Sequence, residues 1–207
     1  MARKIFERYL KEDEERRLFA EVRKQAGSNT QHQLLALRDH AWMRLMRNTG
    51  IRVGTLAGLN VADARQALAS HYLQIRPEIA KGGRGGKVFC NKSAIGALRG
   101  LLAVRRKMGA PDMPDQPLLV SRKHGRMSVR SLQQRMRQWV KQAGLDVSAS
   151  PHWLRHTLAK RVMKNSTAED PRGVVQATLL HVSIDSTAVY TLPDREDIEQ
   201  ALDEIAG

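Results

Sequence analysis

A mainly helical α+β fold with one small antiparallel sheet, a hairpin near 71–90, is predicted by three observations. Apolar residues recur at i, i+3 and i+4 through much of the chain, the spacing of one helix face. Start and stop signals bound those stretches, with Pro just inside or Gly just past several of them. One segment breaks the pattern: two short β-rich runs enclose a glycine-rich turn.

The elements follow in order. Residues 11–26 read as a helix with Leu18, Phe19 and Val22 on one side. Gly27-Ser28-Asn29-Thr30 interrupts it and offers caps for a second helix, in which Leu34, Leu37, Ala41, Trp42, Leu45 and Met46 share a face. Asn48-Thr49-Gly50 ends that helix, and a short one is expected over Arg52–Leu59. His71-Tyr-Leu-Gln-Ile-Arg76 and Lys87-Val-Phe-Cys90 are the two strands, joined through Pro77 and Lys81-Gly-Gly-Arg-Gly-Gly86. Helices at about 93–108 and 128–143 stop at Gly109 and Gly144, with a Pro-rich link at 111–117 and the apolar Leu118-Leu-Val120 between them. Ser150-Pro151 and Asp170-Pro171 each pair a capping residue with Pro at the first helical position. Asp194 can start a last, acidic helix over 194–205, with Ile198, Leu202 and Ile205 on one side.

Composition limits the function classes. The 207 residues are 42% hydrophobic, enough for an ordinary core, yet no apolar run approaches the ~18 residues of a membrane span. The first residues have no apolar signal region, and the single Cys90 excludes a disulfide framework or a multi-cysteine zinc site. The expectation is a soluble, cytoplasmic, basic globular protein with no membrane partner. Net charge is +14, and residues 27–193 hold 26 basic against 9 acidic side chains. Such a field calls for a polyanion, because each neutralised phosphate releases condensed counterions. Aromatic residues are only 4%, which disfavours a single-strand binder built on stacking platforms.

Four segments carry chemistry. They are Thr49-Gly-Ile-Arg52, Lys81 at the hairpin turn, Ser150-Pro-His-Trp-Leu-Arg-His156, and Leu180-His181 with Tyr190 nine residues after the histidine. Singly, each has a structural reading: a solvated arginine, a lysine on a glycine loop, a helix start, a filler tyrosine. Together they supply two guanidinium groups, an ammonium, imidazoles and a phenol, a set suited to metal-free phosphoryl transfer.

In order and spacing these segments resemble the tyrosine site-specific recombinases, the phage-integrase family. The resemblance covers about residues 10–200 and implies that family's catalytic-domain fold. It implies that Arg52 and Arg155 bind the scissile phosphate, that Lys81 is the hairpin lysine and that His152 and His181 are the paired histidines. Tyr190 becomes the nucleophile that forms a 3′-phosphotyrosine link in double-stranded DNA at a recombination site, with no ATP, metal or other cofactor. Lys81 then protonates the leaving 5′-oxygen. The partners implied are a homo-tetramer on synapsed DNA and accessory DNA-binding proteins, and the helix at 194–205 is a candidate for exchange between subunits. Arg84, Lys87, Arg122, Lys123, Arg126 and Arg130 are candidate DNA contacts from their place in the basic segments.

Departures from the family pattern are also legible. The family's acidic residue three after the first arginine, thought to buttress it, is here Thr55, and the usual Gly before the second histidine is Leu180. Residues 1–207 are expected to form a single catalytic domain with no separate N-terminal core-binding domain, as a short recombinase or a fragment of a longer one. A type IB topoisomerase-like relaxing enzyme and a catalytically weak DNA-binding regulator on the same fold stay open as alternatives. The remaining basic and apolar residues get structural readings. Arg105-Arg-Lys107 is a solvated helix end, Trp42, Trp139 and Trp153 are core, and Cys90 is an inert core thiol within the second strand. His32, His40, His71 and His124 have no visible partner.

Overall fold

The computed structural model describes residues 8–28 and 32–180. The proposed caps at Asn29 and Thr30, the groups His181 and Tyr190, and the helix at 194–205 lie outside the described residues. Eight α-helices and one two-stranded antiparallel sheet make up the described part: α1 Glu12–Gly27, α2 Gln33–Thr49, α3 Val53–Gly58, α4 Val61–Ser70, α5 Lys92–Lys107, α6 Val129–Gln142, α7 Pro151–Asn165 and α8 Pro171–Thr178. The strands are β1 Tyr72–Ile75 and β2 Gly86–Phe89, in register as Tyr72 with Phe89, Leu73 with Val88, Gln74 with Lys87 and Ile75 with Gly86. Leu73 and Val88 face the core, while Tyr72 and Phe89 meet edge-on outside it, with ring centroids 5.6 Å apart.

The boundaries follow local chemistry. Gly50 closes α2 in the left-handed region at φ 63°, which an L-residue adopts only with strain. Asn91 and Ser128 cap α5 and α6, accepting from Ala94 N at 2.9 Å and Ser131 N at 3.1 Å. Asp170 caps α8 through Gly173 N at 2.9 Å, whereas Ser150 holds the capping position of α7 without a side-chain bond, and Pro151 sets the first helical dihedral. Helix α4 has no counterpart in the expectations. Its buried positions are Val61, Asp63, Ala64 and Ala67, so short side chains leave no bold apolar stripe. The missed signal is its start, where Asp63 reaches back to Asn60 N at 2.8 Å.

One core runs through α1, α2, α5, α6 and the hairpin, with Trp42, Trp139 and Trp153 all buried as expected. A smaller cluster of Leu158, Ala159, Val175 and Leu179 joins α7 to α8. Two buried carboxylates lock the helices. Asp39 is fully buried and accepts from Arg38, Arg135 and both indole N–H groups of Trp42 and Trp139, at 2.6–3.1 Å. Glu15 accepts from Arg47 at 2.5 and 3.1 Å and from Arg161 at 2.7 and 2.8 Å, tying α1 to α2 and α7.

Three expectations are corrected. Arg105 is not a solvated helix end: it is 2% exposed and donates to the carbonyls of Pro111 and Pro117, holding the Pro-rich link against α5. Arg106 and Lys107 are the exposed pair. Cys90 is buried, with burial pushing its thiol pKa up, but it lies one residue past β2, where its N–H closes the hairpin onto the His71 carbonyl at 2.8 Å. His40 does have a partner, the edge-on ring of Phe19 at 6.0 Å. Burial first, then the charges of Arg44 and Arg23, bring its pKa down to about 4. No helix among the described residues is long and apolar enough to cross a membrane.

Candidate active site

The end of α2, the start of α3, the hairpin turn, α7 and the end of α8 enclose a cleft of about 210 Å³. Arg52, Lys81, Arg84 and Arg155 line it, together with Gly50, Thr55, Thr178, Leu179 and Leu180, and no carboxylate is among the described lining residues. A hollow between α2 and α5, lined by Leu37, His40, Gly96 and Gly100, holds none of the expected site residues.

Each cation reaches the cleft for a local reason. Gly50 turns the chain sharply, so Arg52 falls at the N-terminal boundary of α3 in extended backbone at φ −70° and ψ 149°. There it is half-buried, and its guanidinium makes no hydrogen bond or ion pair among the described residues. Arg155 lies one turn into α7 and is 4% exposed. Its Nη1 donates to the Gly50 carbonyl and its Nη2 to the Leu179 carbonyl at 2.7 Å, so one planar fork joins the end of α2 to the end of α8. Lys81 and Arg84 are exposed on the turn between the strands. That turn is a pair of short 3₁₀ segments, Pro77–Ile79 and Lys81–Gly83, in which Gly82 and Gly83 take φ of 78° and 68°.

His152, in the first turn of α7, is exposed and does not line the cleft, but lies within electrostatic reach of its cations. The protein packed around it lowers its pKa, and Arg155, Arg52 and Lys81 lower it further by their positive charge. Four of the six expected site residues are thus brought together: Arg52, Lys81, His152 and Arg155. His181 and Tyr190 lie outside the described residues. Among the described residues no group of three or more His, Cys, Asp or Glu side chains gathers to hold a metal.

The expected DNA contacts divide. Arg84 lines the cleft, and Lys87 is exposed on β2 beside it. Arg122, Lys123 and Arg130 are exposed around the turn before α6 and its first helical residues. Arg126 is exposed and also has a structural role that the sequence did not show. Its guanidinium braces the chain between α3 and α4, donating to the carbonyls of Ala57 and Leu59 at 2.9 and 3.2 Å and to Asn60 Oδ1 at 2.7 Å.

The two departures noted in the sequence have structural consequences. Leu180 takes φ 51°, the conformation that favours glycine, and its side chain lies against Gly86 of β2. A Cβ on Gly86 would stand 2.8 Å from Leu180 Cδ1, so this glycine is what admits the leucine. Thr55 is buried and points away from any arginine-buttressing role: its hydroxyl donates to the Ile79 carbonyl at 3.0 Å. Neither link was legible in the sequence, because both partners come from the hairpin.

A short arginine-bearing helix, a lysine hairpin and a His-x-x-Arg helix meeting at one cationic cleft make up the catalytic-domain fold of the tyrosine recombinases. The chain belongs to the phage integrase family, whose model matches residues 8–196. It is 35% identical over 170 residues to tyrosine recombinase XerC of Vibrio parahaemolyticus serotype O3:K6, covering 82% of this chain and 52% of the relative. The XerC of Neisseria meningitidis serogroup B is 34% identical over 170 residues, with the same coverage of both chains. The chain therefore spans about half the length of the curated relatives it matches. Among solved structures, XerA recombinase superposes with a TM-score of 0.72 at 26% identity, covering 96% of this chain and 65% of that one. A lambda integrase dimer bound to a COC′ core site gives 0.64 at 21% identity, over 93% of this chain and 62% of that one, a likeness of fold.

Proposed function

We propose that this chain is the strand-exchange domain of a site-specific recombinase, which cuts and rejoins double-stranded DNA through a covalent 3′-phosphotyrosine intermediate without ATP or metal. The observation that carries the reading is the cleft lined by Arg52, Lys81, Arg84 and Arg155, with no carboxylate among the described lining residues, a cavity matched to a phosphodiester. Its relatives are tyrosine recombinases, and Tyr190 follows the cleft-forming elements at the family's spacing.

In the proposed reaction the phenolic oxygen of Tyr190 attacks phosphorus, the P–O5′ bond breaks and the 3′-phosphate is held on the tyrosine. Extra negative charge builds on the non-bridging oxygens in the transition state. Arg52, whose guanidinium has no protein partner among the described residues, is available to meet that charge in bidentate fashion. Lys81 gives its proton to the leaving O5′. His152, kept neutral by the surrounding protein and cations, can take the phenol proton at neutral pH. Attack of a partner strand's 5′-hydroxyl on the phosphotyrosine reverses these transfers and conserves the bond energy, so no nucleotide triphosphate is consumed. Lys87, Arg122, Lys123 and Arg130 would neutralise flanking phosphates. A homo-tetramer on synapsed duplexes, subunit exchange of the acidic segment 194–205 and accessory DNA-binding proteins belong to the same proposal.

The test is trapping. The protein is incubated with a randomised library of nicked suicide duplexes, and SDS-resistant protein–DNA adducts are recovered and sequenced. Adducts at a defined sequence that vanish in Tyr190→Phe support the reading. No adduct, or an adduct that survives the substitution, refutes it. Relaxation of supercoiled plasmid without sequence preference would instead assign topoisomerase-like chemistry.

A further inference from the structure

Thr55 lies three residues after Arg52 in α3 and is 5% exposed. Its hydroxyl donates to the carbonyl of Ile79, two residues before Lys81, at 3.0 Å. The contact is part of a tight root. Gly58, at the end of the same helix, lies so close to Ile79 that a Cβ there would fall 2.8 Å from the Ile79 Cβ. The Gly58 carbonyl accepts from Arg76 Nη2 at 3.1 Å, and Asp63 grips the same guanidinium through both oxygens at 3.0 and 3.1 Å. Residues 76–79 are thus anchored to α3 and α4. Beyond them the turn loosens: Lys81 is exposed, and Gly82 and Gly83 have open space where a Cβ would stand. Gly58 meets Ile79 by packing, whereas the Thr55 hydroxyl joins the helix that follows Arg52 to Ile79 by a hydrogen bond.

We propose that Thr55 is a positioning residue: its hydroxyl couples the Arg52 helix to the Lys81 turn, so that phosphate-binding guanidinium and proton-donating ammonium keep one geometry. The inference rests on the reading of Lys81 as donor to the leaving O5′. A carboxylate at position 55 could not do this, because it has no proton to donate and would repel the Ile79 carbonyl. The residue therefore serves the lysine turn, where an acidic residue would serve the arginine.

The test uses the duplex recovered by trapping and the same duplex with sulfur in place of the bridging O5′. In both, a tyrosine–phosphorus bond forms as the bond to the 5′ atom breaks. The oxygen leaving group needs a proton from Lys81, whereas the thiolate leaves without one. Thr55→Val keeps the side-chain shape and removes the donor. It should slow cleavage of the oxygen duplex about five- to tenfold and leave the sulfur duplex at the wild-type rate, with Thr55→Ser close to wild type on both. Equal slowing on both duplexes, or no slowing on oxygen, overturns the proposal. Amide exchange on the protein alone gives a second readout: residues 80–86 should exchange faster in Thr55→Val and not in Thr55→Ser. Unchanged exchange also overturns the coupling. If wild type forms no adduct, the recombinase reading fails, and the exchange measurement still judges the link.

Discussion

Arg52 and Arg155 look alike in sequence, yet the structure assigns them different stability roles, and a pair of lysine substitutions separates them. The Arg155 fork satisfies two carbonyls, Gly50 and Leu179, at a site only 4% exposed. A lysine keeps the charge but has no fork with which to join both. Arg155→Lys then loses one charge-assisted hydrogen bond and leaves a carbonyl unpaired, a cost of about 2 kcal/mol. For a chain of this size that lowers Tm by about 4–8 °C. Arg52 has no bond to protein among the described residues, so Arg52→Lys should stay within about 0.5 kcal/mol of wild type. Cleavage should fall at least ~100-fold in both: Arg52→Lys loses bidentate contact with the phosphate in the transition state, and Arg155→Lys loses the fork that holds the Gly50 and Leu179 sides of the cleft. Thermal melts and adduct yields on one trapped duplex measure the two effects side by side. An unchanged Tm in Arg155→Lys, or an equal Tm loss in both variants, would refute the division of roles.

Acid should destabilise the fold. His40 and His156 are both held at about 4, by burial first and then by Arg44 and Arg23 for His40, and by His152, Arg155 and Arg8 for His156. The unfolded chain therefore binds more protons between about pH 6.5 and 4, and stability falls as pH drops through that window, by about 2 kcal/mol per histidine at pH 5. Urea midpoints at pH 7.5, 6 and 5 measure it, and His40→Gln should remove about half of the fall; a flat profile contradicts the assignment. Asp39→Asn should cost about 3–5 kcal/mol, because it leaves Arg38 and Arg135 without their shared carboxylate and turns one acceptor of the network into a donor. A loss below about 1 kcal/mol in urea denaturation would show that the Asp39 network is not what joins α2 to α6.

Much of this architecture was legible because it is local. The helix starting at Ser150-Pro151 is set within one turn, and His152 and Arg155 share a face by their spacing alone. The hairpin followed from β-rich runs around glycines. Helix α4 escaped because alanines make a weak stripe, although Asn60 and Asp63 marked its start. Arg105 was misread, and the structural bonds of Arg126 were missed, for one shared reason. A basic residue at a helix end or in a loop looks solvated until carbonyls from elsewhere close on it, here those of Pro111 and Pro117 or of Ala57 and Leu59.

From the amino acids alone came the order of the described elements apart from α4, the cationic character of the central segment and the chemical groups a phosphodiester would meet. Those depend on periodicity, caps and charge, which neighbouring residues settle among themselves. Folding settled which of these groups are free to act and which are braces. Arg155 is held by a carbonyl 105 residues away, and Thr55 turns from an arginine's support into a tether for Lys81 through a residue 24 positions on. Partners so distant in the chain exert no local preference, so only the packed helices decide whether a polar side chain faces substrate or its own backbone.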